Sequence, residues 1–499
     1  MRLAPKEIAT RLFAIDPDRD ERASQICAEV LLTLVANKYS FPESELQSPK
    51  LRRFGLRSLV FGLNFLAHQQ GDLVGGHVTV SHFGELLASG EDFLGSENLA
   101  LVRNALQNLV DPSTEQGQKG QHLLMPFHEA LLWYDARATA GKYTTRKVRM
   151  RGSGITLARV LLDPPDEAGE GTRGLGLAAV AGIRDALTVS SPLAAAAMAL
   201  EGATPLSANP ARGIEEDERQ AWALGGDGRV VALASNLCRH LAGIVGQGSL
   251  SGPAKLWQLR SMLALDLAVD TLRHAWEVND VPANRQVVLL AIAGPDRQSD
   301  RTRLLSERSF ADARHAINGA TIRTIERVMR ELHEGGGIDW DSELDNRTRD
   351  VLEDAVVQPY RTSATPDLGA LAQRVFETAS YGRASEGFRV LLESIGMSAG
   401  GTRYRYLSAS PDLLGALVGA LSSEMPMTSQ VFFQRIRDEW GLVISPEAAG
   451  GTGYAESLDG VYLAMNARRF ERLMIDAGLA SGLSDRTVMV GEDAGRRER

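Results

Sequence analysis

Apolar positions recur mainly every three or four residues, the period of an amphipathic helix. Between Ala23 and Lys38, Ile26, Val30, Leu31, Leu34 and Val35 share one face, which predicts a helix ended by Pro42. A second helix is predicted from Leu51 to His68, with Lys50, Arg52, Arg53 and Arg57 at its start. The segment Ala254–Glu277 follows Pro253 and turns Leu256, Leu259, Leu263 and Leu267 inward. Phe310–Glu334 is helical again until Gly335-Gly336-Gly337, and the remainder to Ile395 reads as helices broken at Pro359, Pro366 and Gly382.

Two segments change the period. Lys147, Arg149 and Arg151 alternate with Val148 and Met150, a period of two that predicts a strand with one basic face, and Val160–Leu162 predicts a second strand after the turn at Gly152. Val287–Ala293 is a short apolar run closed by Gly294-Pro295, the pattern of a buried strand. An arginine-rich loop is predicted next, with Arg297, Arg301, Arg303 and Arg308, followed by Arg314 and Arg323 on a helix. Guanidinium groups recognise phosphate through paired hydrogen bonds, so this loop is a candidate phosphate or nucleic-acid contact, as is the Lys147/Arg149/Arg151 row. The alternatives are an internal network with Asp296, Asp300 and Glu307, and a charge-protected edge strand.

Length and charge narrow the picture. At roughly 150 residues per domain, 499 residues predict about three domains. They are drawn as a helical domain with a basic hairpin over 1–163, a mainly helical domain with one buried strand over 177–400, and a last domain over 401–499. The stretch 164–176, rich in Pro and Gly, is read as a linker. The fold class is mainly α, multidomain, with short β segments. With 54 Lys and Arg against 63 Asp and Glu, the net charge is −9, which excludes a basic nucleic-acid coat and leaves only local basic patches. Charges at Lys6, Glu7 and Arg11 oppose a secretory signal, Arg184, Asp185 and Pro192 interrupt the most apolar stretch, and two cysteines fit a reducing compartment. The expectation is a cytoplasmic protein without membrane spans.

Motif spacing excludes several chemistries. Gly169-Glu170-Gly171-Thr172-Arg173-Gly174 has the GxGxxG spacing, but prolines precede it and no acidic strand end follows, so it reads as linker. A Walker A sequence is absent. Gly396–Gly400 matches GxSxG behind a helix rather than a strand, and a helix C-cap accounts for its glycines. Asp339, Asp341, Glu343 and Asp345 imitate a calcium loop whose glycine position is Leu344; an acidic helix start is the better account. No metal site and no cofactor are expected. Asp266, Asp270 and His274 fall at i, i+4 and i+8 of one helix, where they form either an acid-base site or a solvated polar face.

The C-terminal order of elements is the most readable. Ser410-Pro411-Asp412 caps a helix to about Leu421, Thr428 opens another through Trp440, and Leu442–Ile444 makes a short strand. A third helix, Val461–Ala477, carries Asn466, Arg468, Arg469 and Arg472, and Thr487–Val490 closes as a strand. This order resembles a winged helix, and MIDAGLASGLSDRTVMV is similar to the end of its third helix and its wing. In the DNA-binding version the third helix enters the major groove, which makes Asn466, Arg468, Arg469 and Arg472 candidate DNA contacts. Together, FFQRIRDEWGLVIS and NARRFERLMIDAGLASGLSD resemble accessory proteins of bacterial anti-phage defence operons linked to DNA methylation or phosphorothioation. The resemblance covers roughly the last hundred residues and carries no active-site residue. It implies a non-enzymatic subunit working with other proteins of its operon, with double-stranded DNA as a partner. A scaffold that binds only proteins, and an enzyme built around Asp266, Asp270 and His274, are the alternatives.

Overall fold

The computed structural model describes residues 3, 5–13, 15, 22–36, 52–53, 73–74, 78–79, 88, 95–107, 134–139, 142–146, 152–188, 195, 198–199, 229–292, 297–344, 346–378, 381–401, 404–421, 425–484 and 487–491. These residues are mainly helical, with short strands. They form two compact units, one contiguous (Arg22–Leu263) and one split (Met1–Glu21 with Ala264–Arg499). The chain opens with α1 (Pro5–Phe13), which belongs to the split unit.

In the contiguous unit, α2 (Ala23–Ala36) buries Ile26, Val30, Leu31 and Leu34, as the spacing predicts. Short strands follow: β1 (Arg52–Arg53), β2 (Leu73–Val74) and β3 (Val78–Thr79). Helix α3 (Ser96–Gln107) comes next, and then the hairpin of β4 (Tyr134–Thr139) and β5 (Lys142–Arg146). β1 pairs in parallel with β4, so Arg52 and Arg53 lie in a strand and not in the helix predicted there; the rest of that predicted helix, and Lys147, Arg149 and Arg151, lie outside the described residues.

Val160–Leu162, expected as a strand, is the end of α4 (Ser153–Leu162). A distant side chain decides this. Glu29 of α2, 1% exposed, accepts hydrogen bonds from the backbone N–H groups of Gly152 (3.2 Å) and Gly154 (2.8 Å), capping the helix with a buried carboxylate. The expected linker is also helical: after a 3-10 turn at Asp166–Ala168, α5 runs Gly169–Thr188. Arg173 binds Glu170 (3.0 Å) and Asp166 (2.8 Å), placing acids over the N-terminal turn where the helix dipole favours them. The GxGxxG glycines therefore sit in a helix and form no phosphate loop. Helix α6 (Arg229–Gly246) packs along α5 and buries Leu237, Cys238 and Leu241. Burial pushes the Cys238 thiol up to about 12. Helix α7 (Gly252–Val278) buries Leu256, Leu259, Leu263 and Leu267 as predicted, and the division between the units falls within it.

The split unit is built around two long-range arrangements. β6 (Val288–Leu289) is the predicted buried strand, shorter than the apolar run. Its neighbour is a parallel strand, β10 (Leu442–Val443), paired as Val288 with Leu442 and Leu289 with Val443. The arginine-rich stretch expected as a loop is instead the first third of α8 (Arg297–Glu334). Its buried face explains the difference. Thr302, Ser306 and Ser309 are buried while Leu304 is 53% exposed, so the hydrophobic pattern is inverted. Ser306 Oγ accepts from Leu407 N and donates to Leu407 O (both 2.9 Å), and Ser309 Oγ accepts from Leu289 N (3.0 Å). The helix thus satisfies strand edges with hydroxyl groups, which no local periodicity encodes.

Beyond α8 come α9 (Trp340–Glu343), capped by Asp339 as the acidic helix start predicts, and α10 (Asn346–Leu352). A π turn (Glu353–Val357) leads into α11 (Gln358–Thr362), which contains Pro359, and then to α12 (Leu368–Thr378) and α13 (Arg383–Ser394). Trp340, Val356, Leu371 and Val375 pack on Ile325, Val328 and Met329 of α8 and on Leu3 and Ile8 at the N-terminus. Gly396 caps α13 with positive φ, and Ser398 lies in β7 (Ser398–Ala399), paired with β8 (Tyr406–Leu407), so the GxSxG match is a cap and a hairpin.

The predicted C-terminal helices and strands occur in the predicted order, with two short strands and two short helices in addition. The elements are α14 (Pro411–Leu421), β9 (Met427–Thr428), α15 (Ser429–Trp440), β10, α16 (Pro446–Ala449), α17 (Gly453–Ser457), α18 (Gly460–Asp476), β11 (Ala480–Ser484) and β12 (Thr487–Val490). The sheet order is β11-β12-β9, antiparallel throughout. Gly441, in the left-handed region, ends α15 and turns the chain into β10.

Candidate nucleic-acid interface

Helix α18 divides the predicted DNA residues between two faces. Leu463, Asn466, Phe470 and Met474 form the buried stripe; the helix packs against α8, β11, α14 and α16, and the Phe470 ring meets Phe433 of α15 edge-on. Arg468 and Arg472, one turn apart, are exposed on the opposite face with Val461 and Ile475.

Asn466 is wholly buried. Its Nδ2 donates to Leu290 O (2.8 Å) and Ile444 O (3.0 Å), and its Oδ1 accepts from Ile292 N (3.0 Å). The side chain clips α18 to the ends of β6 and β10, and every bond it makes is internal. Its spacing from Leu463, Phe470 and Met474 is the signal, visible in the sequence, that assigns it to the core. Arg469 Nη1 reaches Ile292 O at 3.4 Å, so it leans on the same strand end.

The arginines of α8 diverge because the segment is a helix. Arg301 lies over the Tyr462 ring at 5.4 Å, a cation–π contact. Arg303 turns to Glu307 (3.8 Å), Arg314 to Glu386, and Arg323 to Asp280 (3.2 Å) and Val278 O (2.8 Å). Arg308 lines a cleft beside the start of β6. Arg297 begins the helix; its side chain lies outside the described residues. The structure therefore does not gather these arginines into one phosphate-binding loop.

Asp266, Asp270 and His274 do share a face of α7, and that face is buried rather than solvated. Asp266 Oδ1 accepts from Trp440 Nε1 (2.8 Å), and His274 Nδ1 lies 3.1 Å from Asp270 O and 3.9 Å from Asp270 Oδ1. Burial pushes the Asp270 carboxyl up to about 8, against the favourable charge of Arg273, with Glu277 and Asp266 adding to the rise. Asp270 is thus a proton-carrying core group, and Asp266 an anchor for α15. Among the described residues, no group of three His, Cys, Asp or Glu side chains has the geometry to hold a metal, and no helix is long and apolar enough to cross a membrane. Comparison with protein-family models, curated proteins and solved structures finds no match.

Proposed function

We propose that residues 411–491 form a winged-helix-like module that holds double-stranded DNA through the outward face of α18. The protein would then act as a non-enzymatic subunit of a bacterial defence or DNA-processing system. One observation carries the reading. The order α14-β9-α15-β10-α16-α17-α18-β11-β12, with β12 between β9 and β11, resembles a winged helix with two short helices inserted before α18, and α18 presents Arg468 and Arg472 outward, which supports the reading. The small helices α16 and α17 occupy the segment before α18 and tie it to β6 through Ala449 and Leu458, which pack with Leu289 and Val443. The resemblance of FFQRIRDEWGLVIS and NARRFERLMIDAGLASGLSD to defence-operon proteins supports the assignment.

Because β10 completes the sheet with β6, removing the C-terminal region would strip a strand from the rest of the unit; point substitution in the full chain is the informative test. Fluorescence anisotropy on labelled duplex DNA should show binding that weakens as salt rises. Changing Arg468 and Arg472 together to Ala should lower affinity and reduce the salt slope by about 2, one counterion per lost phosphate contact. Binding that is absent, or unaffected by the pair, refutes the DNA reading. A second reading, capture of a partner protein, is favoured by Val461 (61% exposed) and Ile475 (41%) on the same face of α18 as the arginines, with Leu483 (62%) exposed on β11.

A further inference from the structure

A cleft of about 420 Å³ lies in the split unit beside the start of β6. That volume is in the range of small-molecule sites. Its floor is apolar and aromatic: Trp276 from α7, Val288 from β6, Ala313 from α8 and the ring of Tyr454 from α17. Ser309, whose Oγ accepts from Leu289 N (3.0 Å), lines the cleft with Tyr454 at the start of the strand.

Four charged side chains line the cleft, Arg285 and Arg308 of one sign and Asp312 and Glu456 of the other. Arg308 and Asp312 are four residues apart on one helix, a spacing at which opposite charges ordinarily pair. Among the described residues, neither these two nor Arg285 and Glu456 make an ion pair within 4.0 Å. Both signs of charge are presented to the cleft and left available.

We propose that this cleft binds a purine nucleoside monophosphate, with guanine favoured over adenine. Each feature selects for part of such a ligand. The two guanidiniums suit a phosphate, which accepts paired hydrogen bonds from each. The carboxylates accept from ring N–H and amino groups or from ribose hydroxyls; guanine offers adjacent N–H donors to one carboxylate, adenine a single amino group. Trp276 and Tyr454 supply the apolar surface for a planar ring. Inorganic phosphate alone would meet the repulsion of Asp312 and Glu456 with nothing over the aromatic floor, and an amino-acid zwitterion would match the charges but leave that floor wet. This site is separate from the face of α18, and it does not rest on the DNA reading.

Isothermal titration of the full-length protein with GMP, AMP, inorganic phosphate and glutamine tests it. GMP is expected to bind, with AMP weaker by several-fold and the other two without measurable binding. Arg285→Ala with Arg308→Ala should weaken GMP at least tenfold while circular dichroism stays unchanged. Glu456→Gln, a near-isosteric change at an exposed position, should reduce the preference for GMP over AMP or weaken both. Arg468→Ala with Arg472→Ala should leave GMP affinity intact, which separates this site from the DNA face. The proposal is overturned if GMP does not bind to the folded protein, if binding survives loss of both cleft arginines, or if inorganic phosphate binds as tightly as GMP.

Discussion

Replacing Asn466 with Ala tests the division of α18 into a core face and a reading face. The amide serves three backbone groups: the carbonyls of Leu290 and Ile444, and the N–H of Ile292. Removing it orphans all three. A buried polar group left without a partner costs about 1–3 kcal/mol, and the half-exposed Ile292 can recruit water, so the loss should total about 3–6 kcal/mol. That is a large share of the roughly 5–15 kcal/mol that stabilises a typical domain. Asn466→Asp should be at least as damaging, because it turns an anion toward two carbonyl oxygens. Urea unfolding followed by circular dichroism gives the overall change, and hydrogen exchange localises it: amides of 288–292 and 442–444 should exchange faster. Arg468→Ala, on the same helix, should shift stability by no more than about 0.5 kcal/mol. An Asn466→Ala protein within about 1 kcal/mol of the parent, with unchanged exchange at those strands, would refute the clip.

Two further outcomes follow from buried groups. The Asp270 carboxyl, raised by burial to about 8, stays protonated in the folded protein over a range where the unfolded chain has released its proton. Stability from this group therefore falls as pH rises between about 4 and 8, by up to about 1.4 kcal/mol per pH unit, and Asp270→Asn should flatten that slope and be the more stable form at pH 8; an unchanged slope in thermal melts across pH would count against it. At Gly154 an added Cβ would lie 2.6 Å from Ile26 O and 2.6 Å from Glu29 Cβ, so Gly154→Ala should force α2 and α4 apart and cost about 1–3 kcal/mol, read as a lower unfolding midpoint; a neutral effect would mean the cap tolerates the shift.

The elements that were legible are those whose signals are local. Helix α7 shows its leucine stripe and its opening proline, and the C-terminal helices show their caps: Ser410, Thr428, and Gly441 at the end of α15. The first turns of α8 were not legible, because their buried face is made of Thr302, Ser306 and Ser309, and hydroxyls belong in a core only when a strand edge elsewhere needs them. α4 was misread for a related reason. An apolar run of this length suits either a strand or a helix, and Glu29, more than a hundred residues earlier, chooses by capping it.

The candidate sites divide the same way. The sequence by itself determined that Asp266, Asp270 and His274 share a face, that Arg468 and Arg472 share another, and that the helix carrying them is followed by a closing strand at Thr487–Val490, since each of these depends only on the helical and strand periods. Tertiary structure decided the rest. It buried the α7 face against Trp440, brought β10 beside β6 and turned Asn466 inward to join them. It also gathered Arg285, Arg308, Asp312, Glu456 and Trp276 around one cleft from segments up to about 180 positions apart. Periodicity tells a side chain which way to face along its own element; only packing between distant elements determines what it faces.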